Sequence, residues 1–205
     1  MGKPHEERKA EIIRSTLELA AEQGVRKVTT QAIADRVGIA QPTVFRHFKS
    51  RDAIFAAAID WLAGELFRTI ERSLGGDAPP DERLRRLLEA QLGFVARHKG
   101  LPRLLFSDRL HLESPALKQT VQRVMERYTG RVARLIREGA GAGRFRRDLD
   151  PEDAARYVAA LVQGLVMRWS VFDFGFRLED EAGKLWRFLE GALGVPAAGA
   201  GEDAG

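Results

Sequence analysis

The stretch QPTVFRHFK, residues 41–49, puts an amide, a hydroxyl, a guanidinium, an imidazole and an ammonium within nine residues. Thr30 and Gln31 lie one short segment upstream. These types at this spacing suit recognition better than catalysis, because no nucleophile stands beside a base and no paired carboxylates accompany them. A glutamine amide can bridge the edge of adenine, an arginine that of guanine, and a threonine methyl can meet that of thymine. Histidine, lysine and threonine hydroxyls suit phosphate oxygens, which fix register without reading sequence. Pro42 sits where a helix begins, so its missing N–H costs nothing. The remaining bare N–H groups at that end favour an anion.

Holding such groups outward requires a tight pair of helices. The pattern predicts one over 30–37, closed by Gly38, and a second over 41–48. Ile33, Val37, Ile39, Val44 and Phe48 are spaced to pack inward, and Ala34 is small where the helices approach. Gly38 supplies the positive φ of the corner. A preceding helix, 6–24, carries Ile12, Ile13, Thr16, Leu17, Leu19 and Ala20 on one side and is expected to stop at Gly24 in a left-handed conformation. Thr29 or Thr30 caps the second helix, and Ser50 caps a long fourth one running to about Leu74. The break GGDAPP (75–80) follows. Further helices are expected over about 81–97, 101–110, 114–140, 151–174 and 181–193. Asp150-Pro151-Glu152-Asp153 is a strong start signal. The chain is therefore expected to be all-α, with about nine helices. The expected organisation is a three-helix helix-turn-helix unit over 1–50, a helical bundle over 51–194 and a flexible tail over 195–205.

Bulk properties agree. The 205 residues carry a net charge of +4. A net of +3 falls within residues 1–52, a bias suited to a polyanionic partner. With no cysteine there is no disulfide framework, thiolate nucleophile or Cys-ligated zinc. No apolar run approaches a membrane span, and the start lacks a signal-peptide core, so a cytoplasmic protein without a membrane partner is expected. No phosphate loop, nucleophile elbow or H-E-x-x-H occurs, so no enzyme, cofactor or metal is expected. The lone His98 and His111 fit hydrogen-bonded or surface roles.

The segment AEIIRSTLELAAEQGVRKVTTQAIADRVGIAQPTVFRHFKSRDAIFAAAI (10–59) resembles the N-terminal domain of TetR-family transcriptional regulators. The pieces that carry the resemblance are the helix ending at Gly24, TTQAIADRVGIA, TVFRHF and KSRDAIF. It implies that Thr43, His47 and Lys49 contact the DNA backbone, and that Gln41, Pro42 and Arg46 face bases or backbone. Thr30, Gln31 and Phe45 complete the expected face. Two positions depart from the family pattern. Ala40 stands where serine is common, which leaves the recognition helix over 41–48 without a side-chain cap. Phe45 stands where tyrosine is common, which removes a hydroxyl and about one phosphate hydrogen bond.

The resemblance further implies a ligand pocket inside the bundle and a homodimer formed by the last two helices. Leu62, Leu66, Leu92, Leu105, Met125 and Tyr128 are the expected pocket residues, with Arg168 as a cationic handle for an anionic amphiphile such as an acyl thioester. The segment 154–172 is apolar nearly all round. Leu161, Gly164, Leu165 and Trp169 from it, with Phe188, Leu189 and Leu193, are the expected dimer seam. The implied function is a ligand-responsive regulator, most simply a repressor, that reads a palindromic operator in double-stranded DNA and is released by a small effector. Two alternatives stand beside it. LPRLLFSDRLHLE (101–113) resembles the middle of TetR-fold proteins that block division over the nucleoid, which bind many DNA sites and a division protein without a small ligand. A helical enzyme is the alternative of a different class, and no convergent polar cluster supports it.

Overall fold

The computed structural model describes residues 4–194; the tail expected over 195–205 lies outside them. Nine α-helices make up the described chain: α1 (His5–Gln23), α2 (Thr30–Val37), α3 (Gln41–His47), α4 (Arg51–Ser73), α5 (Pro80–Arg97), α6 (Gly100–Leu105), α7 (Pro115–Gly141), α8 (Pro151–Val171) and α9 (Glu181–Leu193). Among the described residues there is no strand, only an isolated bridge between Phe145 and Gly194.

The helix starts follow side-chain chemistry. Thr29 accepts from the Ala32 N–H at 3.0 Å, Ser50 from Ala53 at 3.1 Å and Asp150 from Asp153 at 2.8 Å, each satisfying a donor the helix cannot. Thr29, not Thr30, is therefore the α2 cap. α3 begins at Ala40 with no side-chain cap. Gly38 ends α2 at φ 71°, ψ 39°, the left-handed corner. Gly24 differs from expectation: at φ 81°, ψ 156° it is extended rather than left-handed helical, and a short 3-10 turn, Val25–Lys27, follows it. That backbone region is essentially glycine-only.

Two boundaries move. The helix expected over 101–110 ends at Leu105, because Ser107 turns back to donate to the Leu104 carbonyl at 2.7 Å; a separate π-helical turn follows at Arg109–Glu113. The helix expected to reach 174 ends at Val171, where Asp173 and Phe174 take positive φ.

α1, α2 and α3 close around Ile12, Ile33, Ala34 and Val44, all fully buried. Arg36 ties α2 to α1 through Glu22 at 2.5 Å and Glu18 at 3.5 Å. α4, about 34 Å long at the usual helical rise, begins beside α3 and continues into the bundle, where it packs on α5 and α7. α6 lies against α1, giving the bundle a second contact with the N-terminal unit. There the helices nearly touch: a Cβ on Gly100 would fall 2.3 Å from the Leu17 carbonyl oxygen.

Candidate nucleic-acid interface

The outward side of α2 and α3 collects the polar side chains anticipated from sequence, and most of them hold one another. Gln41 Nε2 donates to Thr30 Oγ1 at 2.8 Å, bridging the two helix starts. Arg46 donates to Thr43 Oγ1 at 3.0 Å. Gln31 donates to Asp35 Oδ1 at 2.7 Å and so points along α2 rather than toward α3. Pro42 and Lys49 are exposed, and the Phe45 ring is 48% exposed on the same surface. Freedom from capping duty is what lets Thr30 face Gln41, since Thr29 caps α2.

His47 is the most constrained member. Its ring lies 4.5 Å from that of His5, and its Nδ1 is buried without a partner. Desolvation, reinforced by His5, Arg46, Arg8 and Lys9, holds its pKa below the ordinary histidine value. His5, Arg8 and Lys9 were not singled out from sequence; they bring positive charge near His47, with Arg8 paired to Glu11 at 2.6 Å and Lys9 to Glu6 at 3.4 Å. No signal marks them in sequence, because HEERK balances two acids against two cations as a solvated helix face does.

The bundle residues divide. Leu62, Leu92 and Tyr128 are buried, and the Tyr128 hydroxyl donates to Gln91 Oε1 at 2.6 Å. This leaves a satisfied polar pair in an apolar centre, and burial raises the Tyr128 pKa. Gln91 was missed because one glutamine in an amphipathic helix has no distinguishing pattern. Leu66 and Leu105 are half-buried against the same core. Met125 and Arg168 do not join them: both are exposed, and Arg168 stacks over Phe172 and Phe176 at 5.6 Å each. The expected cationic handle is therefore on the outer surface of α8. The two prominent clefts lie elsewhere, where the N-terminal unit meets the bundle. One of about 430 Å³ is lined by α1, Trp61 and residues 96–101. The other, of about 800 Å³, lies beyond Gly24.

The expected dimer seam also divides. Trp169, Leu189 and Leu193 are core residues of the chain itself, with Trp169 Nε1 donating to the Phe176 carbonyl at 2.8 Å. Leu161, Gly164 and Phe188 are exposed, and Leu165 is half-buried. With Tyr157, Val171 and Phe172, the residues from α8 form a stripe on the side of that helix opposite its buried face. The periodicity showed that α8 is apolar on two sides but not which side the chain itself covers.

His98 and His111 are spent locally. His98 Nδ1 lies 2.8 Å from the Phe94 carbonyl and His111 Nε2 lies 3.0 Å from that of Leu105. Among the described residues, no group of three or more His, Cys, Asp or Glu side chains is placed to hold a metal, and no helix is long and apolar enough to cross a membrane.

Residues 12–58 match the bacterial regulatory proteins of the tetR family, and residues 77–169 match the tetracyclin repressor-like C-terminal domain. The chain belongs to the TetR family of transcriptional regulators. Its curated relatives include the nucleoid occlusion factor SlmA of Pasteurella multocida, 28% identical over 177 residues, covering 84% of this chain and 86% of that protein. SlmA of Escherichia coli O9:H4 is 26% identical over 187 residues, covering 91% and 94%. In fold, the chain resembles FadR of Bacillus subtilis in complex with stearoyl-CoA, with a TM-score of 0.78 at 20% identity, covering 90% of this chain and 98% of that one. It also resembles a TetR transcription regulator of Haloarcula marismortui, with a TM-score of 0.81 at 22% identity, covering 93% and 100%.

Proposed function

We propose that this regulator acts in the cytoplasm as a homodimeric repressor that reads a palindromic DNA site through α2 and α3 and is released by a small apolar or amphiphilic effector. The observation that carries this reading is the Thr30–Gln41 and Thr43–Arg46 arrangement, which gathers base-reading and phosphate-binding groups along the outward side of α3. Gln41 and Arg46 are assigned to base edges, and Thr43, His47 and Lys49 to phosphates. The exposed stripe of α8, with Phe188 of α9, supports the dimer: apolar surface of this kind needs a partner, and Gly164 has open space above it for a facing helix. A two-fold dimer would set two α3 helices about 34–36 Å apart, one DNA turn.

Release follows from linkage. An effector reduces DNA affinity only to the extent that it binds the non-DNA arrangement more tightly. α4 and the α1–α6 contact connect the bundle to the reading unit, so separation of α4, α5 and α7 around Leu62, Leu92 and the Tyr128–Gln91 pair is transmitted along both. FadR of Bacillus subtilis, with its bound stearoyl-CoA, supports an amphiphilic effector class.

Selection of random DNA against the purified protein tests the reading. A recovered palindrome, with binding that falls steeply as salt rises, is the expected result. No enrichment at low salt would leave α2 and α3 as a packing unit and remove the proposal. The similarity to SlmA supports a second reading, as a nucleoid occlusion factor. Many scattered genomic sites would favour it, whereas one or two promoter sites favour the repressor.

A further inference from the structure

The larger cleft is walled by both halves of the molecule. Gln23 to Lys27, at the end of α1, and Arg51, at the start of α4, form one side. Arg103 and the segment from Phe106 to Glu113 form the other. Five cations, Arg26, Lys27, Arg51, Arg103 and Arg109, line it with two acids, Asp108 and Glu113, and two further acids, Asp52 and Asp173, pair with Arg109 and Arg103. The cations are unevenly committed. Arg109 is paired with Asp52 and with Glu113, the latter at 3.0 Å. Arg103 reaches the exposed Asp173 at 3.4 Å. Arg51 donates hydrogen bonds only to backbone, the Val25 carbonyl at 2.5 Å and that of Arg26 at 3.5 Å, while Asp52 and Glu113 attract it without a direct ion pair. Arg26 and Lys27 are exposed and make no ion pair among the described residues.

The cluster is under electrostatic tension. Arg51 and Arg109 share one ring, their guanidinium carbons 5.4 and 5.7 Å from the Phe55 centroid. Burial, then repulsion from Arg109, holds the Arg51 pKa below its ordinary value. Among the described residues, five buried side-chain polar atoms have no hydrogen-bond partner, and three of them are the Nε atoms of Arg51, Arg103 and Arg109. Crowded like charges are costly, and a multivalent anion in the cleft relieves that crowding. At about 800 Å³ the cleft is of small-molecule size. Phe106, partly exposed on its wall, offers a flat apolar face beside the cations.

We propose that this cleft binds an oligophosphate-bearing small molecule of the nucleoside di- or triphosphate type, with the phosphates on Arg26, Lys27, Arg51 and Arg103 and the base against Phe106. Guanidinium forks suit phosphate oxygens, and an aromatic face suits a base. The site is separate from the bundle interior and from the face of α3. Its ligand would touch the reading unit and the bundle at once and so fix their relative position. That effect on DNA affinity rests on the DNA-binding reading above; occupancy of the cleft does not.

Calorimetric titration of the full chain without DNA, using pyrophosphate and ADP at fixed ionic strength with sulfate as the control, tests the site. Saturable binding of one pyrophosphate per chain is expected, with ADP tighter and sulfate unable to compete. The double variant R26Q/K27Q changes only exposed side chains, and with R103Q it should weaken pyrophosphate by about tenfold or more, the loss of a charge-assisted hydrogen bond. F106A should weaken ADP alone. Binding no tighter than sulfate, or equal binding by the variants, overturns the proposal. So does a result in which the variants lose only DNA affinity, since the cations would then serve DNA phosphates. ADP no tighter than pyrophosphate removes Phe106 from the site. Because DNA is absent from the titration, failure here leaves the operator reading standing, and failure of DNA selection leaves this site standing.

Discussion

Replacing Gly100 by alanine tests whether α6 and α1 form a rigid coupling. The added Cβ would lie 2.3 Å from the Leu17 carbonyl oxygen, 3.1 Å from its carbon and 3.3 Å from its Cα. All three are backbone atoms in the middle of α1, so no side chain can swing away. Reaching ordinary contact requires the helices to part by about 1 Å. Overpacking of this kind costs about 1–3 kcal/mol, and for a chain of this size each kcal/mol lowers Tm by about 2–4 °C. Gly93 provides the control: a Cβ there meets only the flexible Arg97 guanidinium, at 3.6 Å. G93A should therefore be neutral or gain up to about 1 kcal/mol of helix propensity. The assay pairs thermal melting with operator affinity. G100A should melt lower than G93A. It should also lose DNA affinity beyond its unfolded fraction, because displacing α1 re-aims α3. If G100A melts with the wild type and binds DNA unchanged, the close approach is not a coupling, and α4 alone connects the two halves.

Other outcomes follow from named residues. Q41A should relax base preference at one position of each half-site, losing about 1–3 kcal/mol of discrimination, as measured by competition between operator variants. A40S should add the missing α3 cap and stabilise the fold by about 0.5–2 kcal/mol, read by denaturant unfolding. F188E with L161R should give a folded monomer by sedimentation, with half-site affinity only; an intact dimer would place the seam elsewhere. The His47 pKa is lowered in the folded, unbound protein, chiefly by desolvation. The unfolded chain therefore takes up this proton first, so the stability contribution is complete above about pH 6.5, the ordinary histidine value, and is lost as pH falls through the folded pKa. DNA phosphate favours the protonated ring, so operator affinity should rise as pH falls from about 7.5 to 6. H47Q should flatten that profile.

Much of this was legible because helical chains advertise their starts. Ser50, Ser114 and Asp150 cap as their positions suggest, and Gly38 turns the corner that two short apolar runs require. The polar face of α3 was legible for a related reason: side chains excluded from the core by periodicity must face out. What was hidden depends on distance in space. Periodicity shows that Trp169 and Leu161 lie on apolar positions of α8, but not that the folded chain covers the first and exposes the second. Arg168 sits among apolar residues in sequence, yet its guanidinium lies outside, over two aromatic rings. Ser107 ended a helix that the apolar pattern alone would have extended. The meeting of Gly24 to Lys27 with Arg103 and Arg109 joins segments some 80 residues apart, and no local pattern announces it.

The bonds from Gln41 to Thr30 and from Arg46 to Thr43 also bear on how the protein finds its site. Groups latched to one another lose nothing when they slide past a wrong sequence, because they have not yet been asked to let go. Charge alone can hold the protein near the duplex during that search. If these groups read bases as proposed, the latches would open only where the right bases offer replacement partners. Such a reader would search fast and grip late. Most of its discrimination would appear in how long it stays at a site and little in how quickly it arrives.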